Sequence, residues 1–255
     1  MKIEIEPRFF HMAVDYGNFN LFDKLLDEID PTKWKNQKKL EILYRFHYPN
    51  SRYANDFTMD RYKKVIEVFN IDVNGSCYGY TPLTHVISYY DVYSFASNSN
   101  KFLEYLLNRD DIKINKPDRE KGFPLLQCYL LNLSDSSDVD KSFVEKLLNK
   151  GASINWCNKK GRNLLHKLCD FTEYCSHRNI DLIKYLVFNT GIDVEKKDKE
   201  GKTPLDLANA SIIHEEESYQ KAMIEKHHWY TPNREQIEKA TAVRDIIQSR
   251  VQGGI

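Results

Sequence analysis

Cys157, His166, Cys169, Cys175 and His177 fall within one short stretch of the chain. Thiolates and imidazoles are the soft ligands that hold zinc. Structural zinc sites place two cysteines about two to four residues apart, and no pair of these cysteines has that spacing. A second chemistry is a thiol nucleophile, because Cys169 follows His166 by three residues and such neighbours touch on a helix. The flanking sequence offers neither an acid to orient the imidazole nor an oxyanion donor. His214 beside Glu215, Glu216 and Glu217, and the pair His227 and His228 before Trp229, are further potential ligands. Adjacent helical positions point about 100° apart, so neighbouring histidines diverge. No phosphate-cradling glycine loop, dinucleotide fingerprint, nucleophile elbow or HExxH pair occurs. The expectation is a chain that is not an enzyme and holds neither metal nor cofactor.

The 255 residues carry 37 Lys and Arg against 37 Asp and Glu, a formal net charge of zero. That balance argues against binding nucleic acid through overall basicity. Five cysteines without paired spacing suit reduced thiols and a cytoplasmic setting. The first residues, Met1 to Glu6, alternate in charge without an apolar secretory core, and no run of about 20 apolar residues offers a membrane span. A soluble, cytoplasmic protein that is monomeric when free is expected, within host cytosol if it is a secreted effector.

The elements that position these residues recur. Thr203-Pro204-Leu205-Asp206-Leu207-Ala208 has counterparts in Thr81-Pro82-Leu83-Thr84, Phe123-Pro124-Leu125-Leu126 and Asn163-Leu164-Leu165-His166, so the leucines at 83, 125, 165 and 205 mark one position about every 40 residues. Runs with helical apolar spacing follow, at Phe102 to Leu107, Phe143 to Leu148 and Leu182 to Val187. Two of them stop at Gly151 and Gly191, which can take the left-handed conformation past a helix end. Next come Ile114-Asn115, Ile154-Asn155 and their counterpart Val73-Asn74 before the following turn.

Turn, short helix, second helix and glycine stop together resemble the ankyrin repeat, whose first helix reads TPLHxA and whose second ends LLxxGA before a [VI]N hairpin. Leu165 and His166 stand at the LH positions, Ala208 at the final alanine, Leu147-Leu148 at the double leucine and Gly151-Ala152 at GA. Phe10-His11-Met12-Ala13 and residues 17–26 make a first unit, and a degenerate second unit runs from Leu40 through Tyr62 to Val73-Asn74. The resemblance implies an all-α ankyrin-repeat solenoid of helix-turn-helix units joined by short hairpin loops. It contains about five repeats in one domain, with units starting near 8, 38, 79, 121, 161 and 201. Residues 211–255 form an inserted helix at 212–226 and a capping helix that opens at Thr231-Pro232, with Ile237, Ala240, Val243, Ile247 and Val251 as its apolar stripe. His166 is implied to be structural, bonding the turn backbone, and Cys169 to be a small core residue.

The spacing exceeds the roughly 33 residues of the family unit, and the surplus lies between paired helices at 89–100, 132–140 and 169–179, as longer loops or extended first helices. Tyrosine is abundant where the family favours alanine, so larger inner residues would widen or bend the stack. A bias to Tyr, Asn and Lys is also similar to that of ankyrin proteins from intracellular bacteria and large DNA viruses.

In that family, hairpin tips and the concave face formed by first helices bind proteins. By register, Tyr78, Tyr80, Lys116 and Arg119 lie on tips, followed by Trp156 with Lys159, Lys160 and Arg162, then Lys196, Lys197, Lys199 and Lys202. His85, Gln127 and Lys167, one place after the TPLH histidine, are expected to look toward the concave face. A tryptophan on a protruding turn beside a lysine-rich ridge suits a protein partner with an acidic segment. The expected role is an adaptor or effector that masks or recruits a cytosolic protein. The alternative is a structural or regulatory subunit of a larger complex, and a zinc or thiol enzyme is the reading the residues support least.

Overall fold

A computed structural model of the chain describes residues 5–47, 58–88, 98–119, 122–133, 139–170, 179–225 and 234–253. They form two compact units, residues 1–129 and 130–255, with the division inside one helix. The first unit holds α1 (Pro7–Asp15), α2 (Phe19–Glu28), α3 (Asn36–Arg45), α4 (Met59–Val68), α5 (Pro82–Ser88), α6 (Asn98–Leu107) and the start of α7 (Leu125–Asn132). The second holds α8 (Lys141–Asn149), α9 (Leu164–Cys169), α10 (Ile180–Asn189), α11 (Pro204–Glu225) and α12 (Glu235–Gln252). Within the first unit α1 packs on α3 and α3 on α5, while α2 packs on α4 and α4 on α6. First helices thus stack on first helices and second on second.

Local chemistry explains where the helices begin. Thr81 and Thr84 bond reciprocally, each side chain taking the other's backbone N–H. Asn163 and His166 do the same, as do Thr203 and Asp206. The first and fourth letters of the repeated phrase are therefore the two halves of a capping box, which satisfies otherwise orphaned helix donors. Side-chain caps also start second helices, from Asn18, Thr58, Asp140 and Asn179. Gly151 ends α8 with φ of 88°, and Asn70 with φ of 46° replaces glycine after α4.

Adjacent repeats are joined by asparagine. Asn36 donates to the Asp72 carbonyl and accepts from the Asp72 N–H. Asn74 donates to the Asp111 carbonyl and accepts from the Lys113 N–H, and Asn155 bridges the Gly191 carbonyl and the Asp193 N–H. His166 adds a bond from Nε2 to the Lys202 carbonyl, 3.1 Å away. It is structural as expected, and Cys169 is fully buried with its thiol pKa pushed up by burial.

The two cores differ in kind. In the first, Phe10 meets Phe22, Trp34 and Phe69 edge-on, and Tyr62 stacks on Phe102 at 4.3 Å. In the second, Val144, Leu147, Leu164, Leu165, Leu182, Ile183 and Leu186 are buried. The abundant aromatics thus fill interior positions of the first unit, where offset and edge-on pairs are favoured.

The first helices α7 and α9 stop at Asn132 and Cys169 and are not extended, while the residues after Ser88 of α5 lie outside the described residues. One expectation changes. The segment expected at 212–226 does not start a separate helix, because the phrase starting at Pro204 continues to Glu225 as one 22-residue helix. No proline or glycine interrupts that stretch. α12 lies against α11, α10 and α9 with Ile237, Ala240, Val243 and Ile247 buried. Thr231 and Pro232, expected to open it, lie outside the described residues.

A polar cluster is sealed in the first unit. His47 and His85 face each other through their Nδ1 atoms at 2.9 Å, and His47 Nε2 lies 2.9 Å from the Tyr62 hydroxyl. Burial lowers the His85 pKa to about 3 and holds His47 well below its ordinary value, where His85 adds to the effect.

Two predictions follow from these contacts. Asn155→Ala removes a donor and an acceptor that together hold the next loop, so urea denaturation should show a loss of about 1–2 kcal/mol. The two histidines are neutral when folded and gain protons when unfolded below pH 6.5, the ordinary value. Stability should therefore be complete above pH 6.5 and fall toward pH 3, by up to about 1.4 kcal/mol per pH unit per histidine. Urea midpoints measured across that range should show the slope, and His85→Gln should flatten it.

Candidate functional site

Within each unit, successive hairpin tips are bonded to one another. In the second unit Asn158 and Asp198 occupy the same place in successive tips. Each accepts on its side chain the N–H two and four residues ahead, namely Lys160 and Arg162, then Glu200 and Lys202. Such Asx turns let a short side chain replace backbone pairing. The tips then meet, with the Lys199 N–H donating to the Lys160 carbonyl at 2.9 Å. Gly161 permits this approach, since a Cβ there would lie 3.2 Å from the Lys199 nitrogen.

Beneath the tips lies Arg162, which its register had placed among the tip residues. Arg162 is buried, donating from Nε to Asp198 and from Nη1 to Asp170, each at 2.9 Å. Burial acts to raise the Asp198 pKa, but the Lys202 amide, Arg162 and the Glu200 amide hold its carboxyl below the usual range. Arg162 is thus not part of the exposed ridge. A guanidinium at that position is within reach of two carboxylates, one from its own repeat and one from the next, which register alone could not reveal.

What remains outward is lysine. Lys159, Lys160, Lys197, Lys199 and Lys202 are exposed, Lys196 and Lys167 are half-buried, and Glu195 and Glu200 interleave with them. Lys202 pairs with Glu200 at 3.2 Å. Trp156 is half-buried. Cys157, part of the sequence's potential zinc group, is also half-buried, and burial raises its thiol pKa. His166 and Cys169 are committed to the helix cap and the core. Cys175, His177, His227, His228 and Trp229 lie outside the described residues. Among the described residues no three His, Cys, Asp or Glu side chains gather as metal ligands, and no helix is long and apolar enough to cross a membrane.

In the first unit Cys77 and Tyr80 exchange backbone bonds across a two-residue turn at Tyr78 and Gly79. Both central residues have positive φ, 51° and 89°, as type I′ geometry requires. Asn-Gly is the sequence that turn prefers, so tyrosine there is costly. Tyr78 is nevertheless 67% exposed. Partial burial and the nearby charge of Glu41 raise its pKa. Arg45 lies nearby and bridges to Asp15 at 3.3 Å. This acid and base setting comes from α1 and α3 and is not marked by any motif. Strained residues that the fold maintains concentrate at functional sites. Lys116 and Arg119 are exposed, the Arg119 N–H donating to the Gly79 carbonyl.

Three of the expected contact residues are directed inward. His85 is buried because the Tyr44 ring stacks on it at 3.8 Å and His47 bonds it. Tyr80 is half-buried, its carbonyl accepting from the Tyr44 hydroxyl and its ring edge-on to His85. Gln127 is fully buried on α7. Tyr44, a large side chain on α3, covers His85 where a small residue would leave it open, so neither His85 nor the buried Gln127 looks toward a concave surface.

Comparisons place this arrangement among known folds. No protein-family model matches the sequence, and no curated protein matches it significantly. Among solved structures, the chain is similar to EF0377, an ankyrin repeat protein, at 18% identity and a TM-score of 0.52, over 96% of this chain and 98% of that one. It is also similar to the ankyrin repeat domain of Bcl-3, described as a unique member of the IkappaB family, at 18% identity and a TM-score of 0.47, over 78% and 92% of the two chains. The chain has the all-α ankyrin-repeat fold. The capping boxes, stacked helix pairs and braced hairpin tips are its local expression.

Tyr78→Asn should restore the residue that the turn prefers and stabilise the first unit by up to about 1 kcal/mol. A higher urea midpoint would show it, and an unchanged or lower midpoint would mean that the surroundings of the tyrosine outweigh the backbone cost.

Proposed function

We propose that this chain is a non-catalytic interaction module that binds a protein with an acidic segment along the hairpin tips of its second unit. The supporting observation is the bond between Lys199 and Lys160, which sets two lysine-bearing tips side by side over the buried Arg162 and Asp198 pair. Because the tips are already ordered, binding loses little conformational freedom there, and preorganisation favours affinity. Lys159, Lys160, Lys196 and Lys197 supply the charge, and half-buried Trp156 offers an aromatic face at their base. Lys167 borders this surface by register, while Tyr78, Lys116 and Arg119 are the outward tip residues of the first unit.

A surface of this kind suits an adaptor or effector that masks or recruits a cytosolic protein. Its specificity would come from tip residues, since the helices beneath are committed to stacking. A partner held by exposed lysines should be released by salt, because screening shortens the reach of such charges to about 8 Å at physiological ionic strength.

The triple variant Trp156→Ala, Lys159→Glu, Lys160→Glu should lose partner capture from lysate while its thermal unfolding stays near that of the parent. Mass spectrometry of captured proteins gives the readout. Capture that persists through the triple change would place the binding surface elsewhere.

A further inference from the structure

The distal half of α11 presents an exposed face of mixed charge and apolar residues. Leu207, Ala208 and Ser211 are buried, and Ser211 donates to the Cys169 carbonyl. Beyond Ser211 no described side chain of α11 is buried, yet the helix continues to Glu225. Ile212, Glu215, Tyr219 and Ala222 are half-covered on one side. On the other, Ile213, Glu216, Glu217, Gln220, Lys221 and Ile224 line a shallow groove. The isoleucines that end this stripe are 58% and 79% exposed. Isolated exposed apolar residues are ordinary. Two isoleucines eleven positions apart, on one stripe about 16 Å long, bounding a charged centre, are a pattern that selects a partner.

We propose that this face pairs with the same face of a second copy of the chain, the two α11 helices running antiparallel about a two-fold axis between Ser218 and Tyr219. The stripe is complementary to itself under that operation. Ile213 meets Ile224 of the second copy, Glu216 meets Lys221, and Glu217 meets Gln220, each contact occurring twice as an isologous interface demands. A parallel pair would set Glu216 and Glu217 against their own copies, and like charges directly opposed oppose association. Charge order along the helix therefore selects both the partner and its direction. A face of three turns is small and belongs with weak interfaces, below roughly 1,200 Å² in total. The association should depend on concentration, a departure from the expectation of a free monomer. It is independent of the lysine tips.

Sedimentation velocity of the full chain at rising concentration and low salt tests the proposal. The parent should sediment faster as concentration increases, whereas Glu216→Lys and Lys221→Glu should each stay monomeric. The double variant should recover association, as should an equimolar mixture of the two single variants, because each exchange restores opposite charges. Ile224→Gln should weaken association without altering charge, and far-UV circular dichroism should show helix content preserved in every variant. A parent that stays monomeric at all concentrations would assign the face to a different protein and overturn the proposal. Association that survives the single reversals, or that the double variant fails to recover, would overturn the antiparallel arrangement.

Discussion

An ankyrin repeat leaves loop N–H and C=O groups at its hairpin base, and the fold depends on who satisfies them. Here the carboxamide of an asparagine in the preceding repeat does so, at Asn36, Asn74 and Asn155. Only a carboxamide presents one donor and one acceptor side by side, as a strand of backbone would. Aspartate of the same shape lacks the donor. Each clamp fixes the distance and direction from one repeat to the next, and helix stacking, core register and tip spacing inherit that geometry.

The braced tips are one consequence. Once Asn155 has set the loop at Asp193, the following turn is placed so that Asp198 can accept Arg162 and the Lys199 N–H can reach the Lys160 carbonyl. A buried ion pair adds little net stability on its own, but it fixes one arrangement of charge beneath a surface that must hold its shape. In the first unit the turn at Tyr78 is held against its own backbone preference. Its exposed ring therefore owes its position to the surrounding repeats rather than to local propensity.

Much of this was legible in the sequence. The phrase ending at Ala208 and its copies marked the first helices, the apolar runs marked the second, and His166 was read as structural because it stands at the TPLH histidine of the ankyrin repeat. The stripe from Ile237 to Val251 was read as covering the last repeat, and α12 does so through Ile247, with Val251 only half-buried. The single helix of α11 was less apparent. Its middle is charged, and a charged stretch after a repeat phrase reads as an insertion when nothing shows that the backbone bonds run on.

Local pattern determined the helices, their caps and the turns, since these depend on residues three or four apart and on glycine or asparagine at particular backbone angles. Pattern also separated interior from surface wherever a side chain is small or aliphatic. Tertiary structure decided the fate of the large polar residues. Arg162 is buried because carboxylates from its own and the following repeat converge on it, and His85 because Tyr44 folds over it, whereas Lys159 and Lys160 stay exposed. A long polar side chain can satisfy itself in water or against a partner distant in sequence. Only the stacked repeats bring that partner within reach.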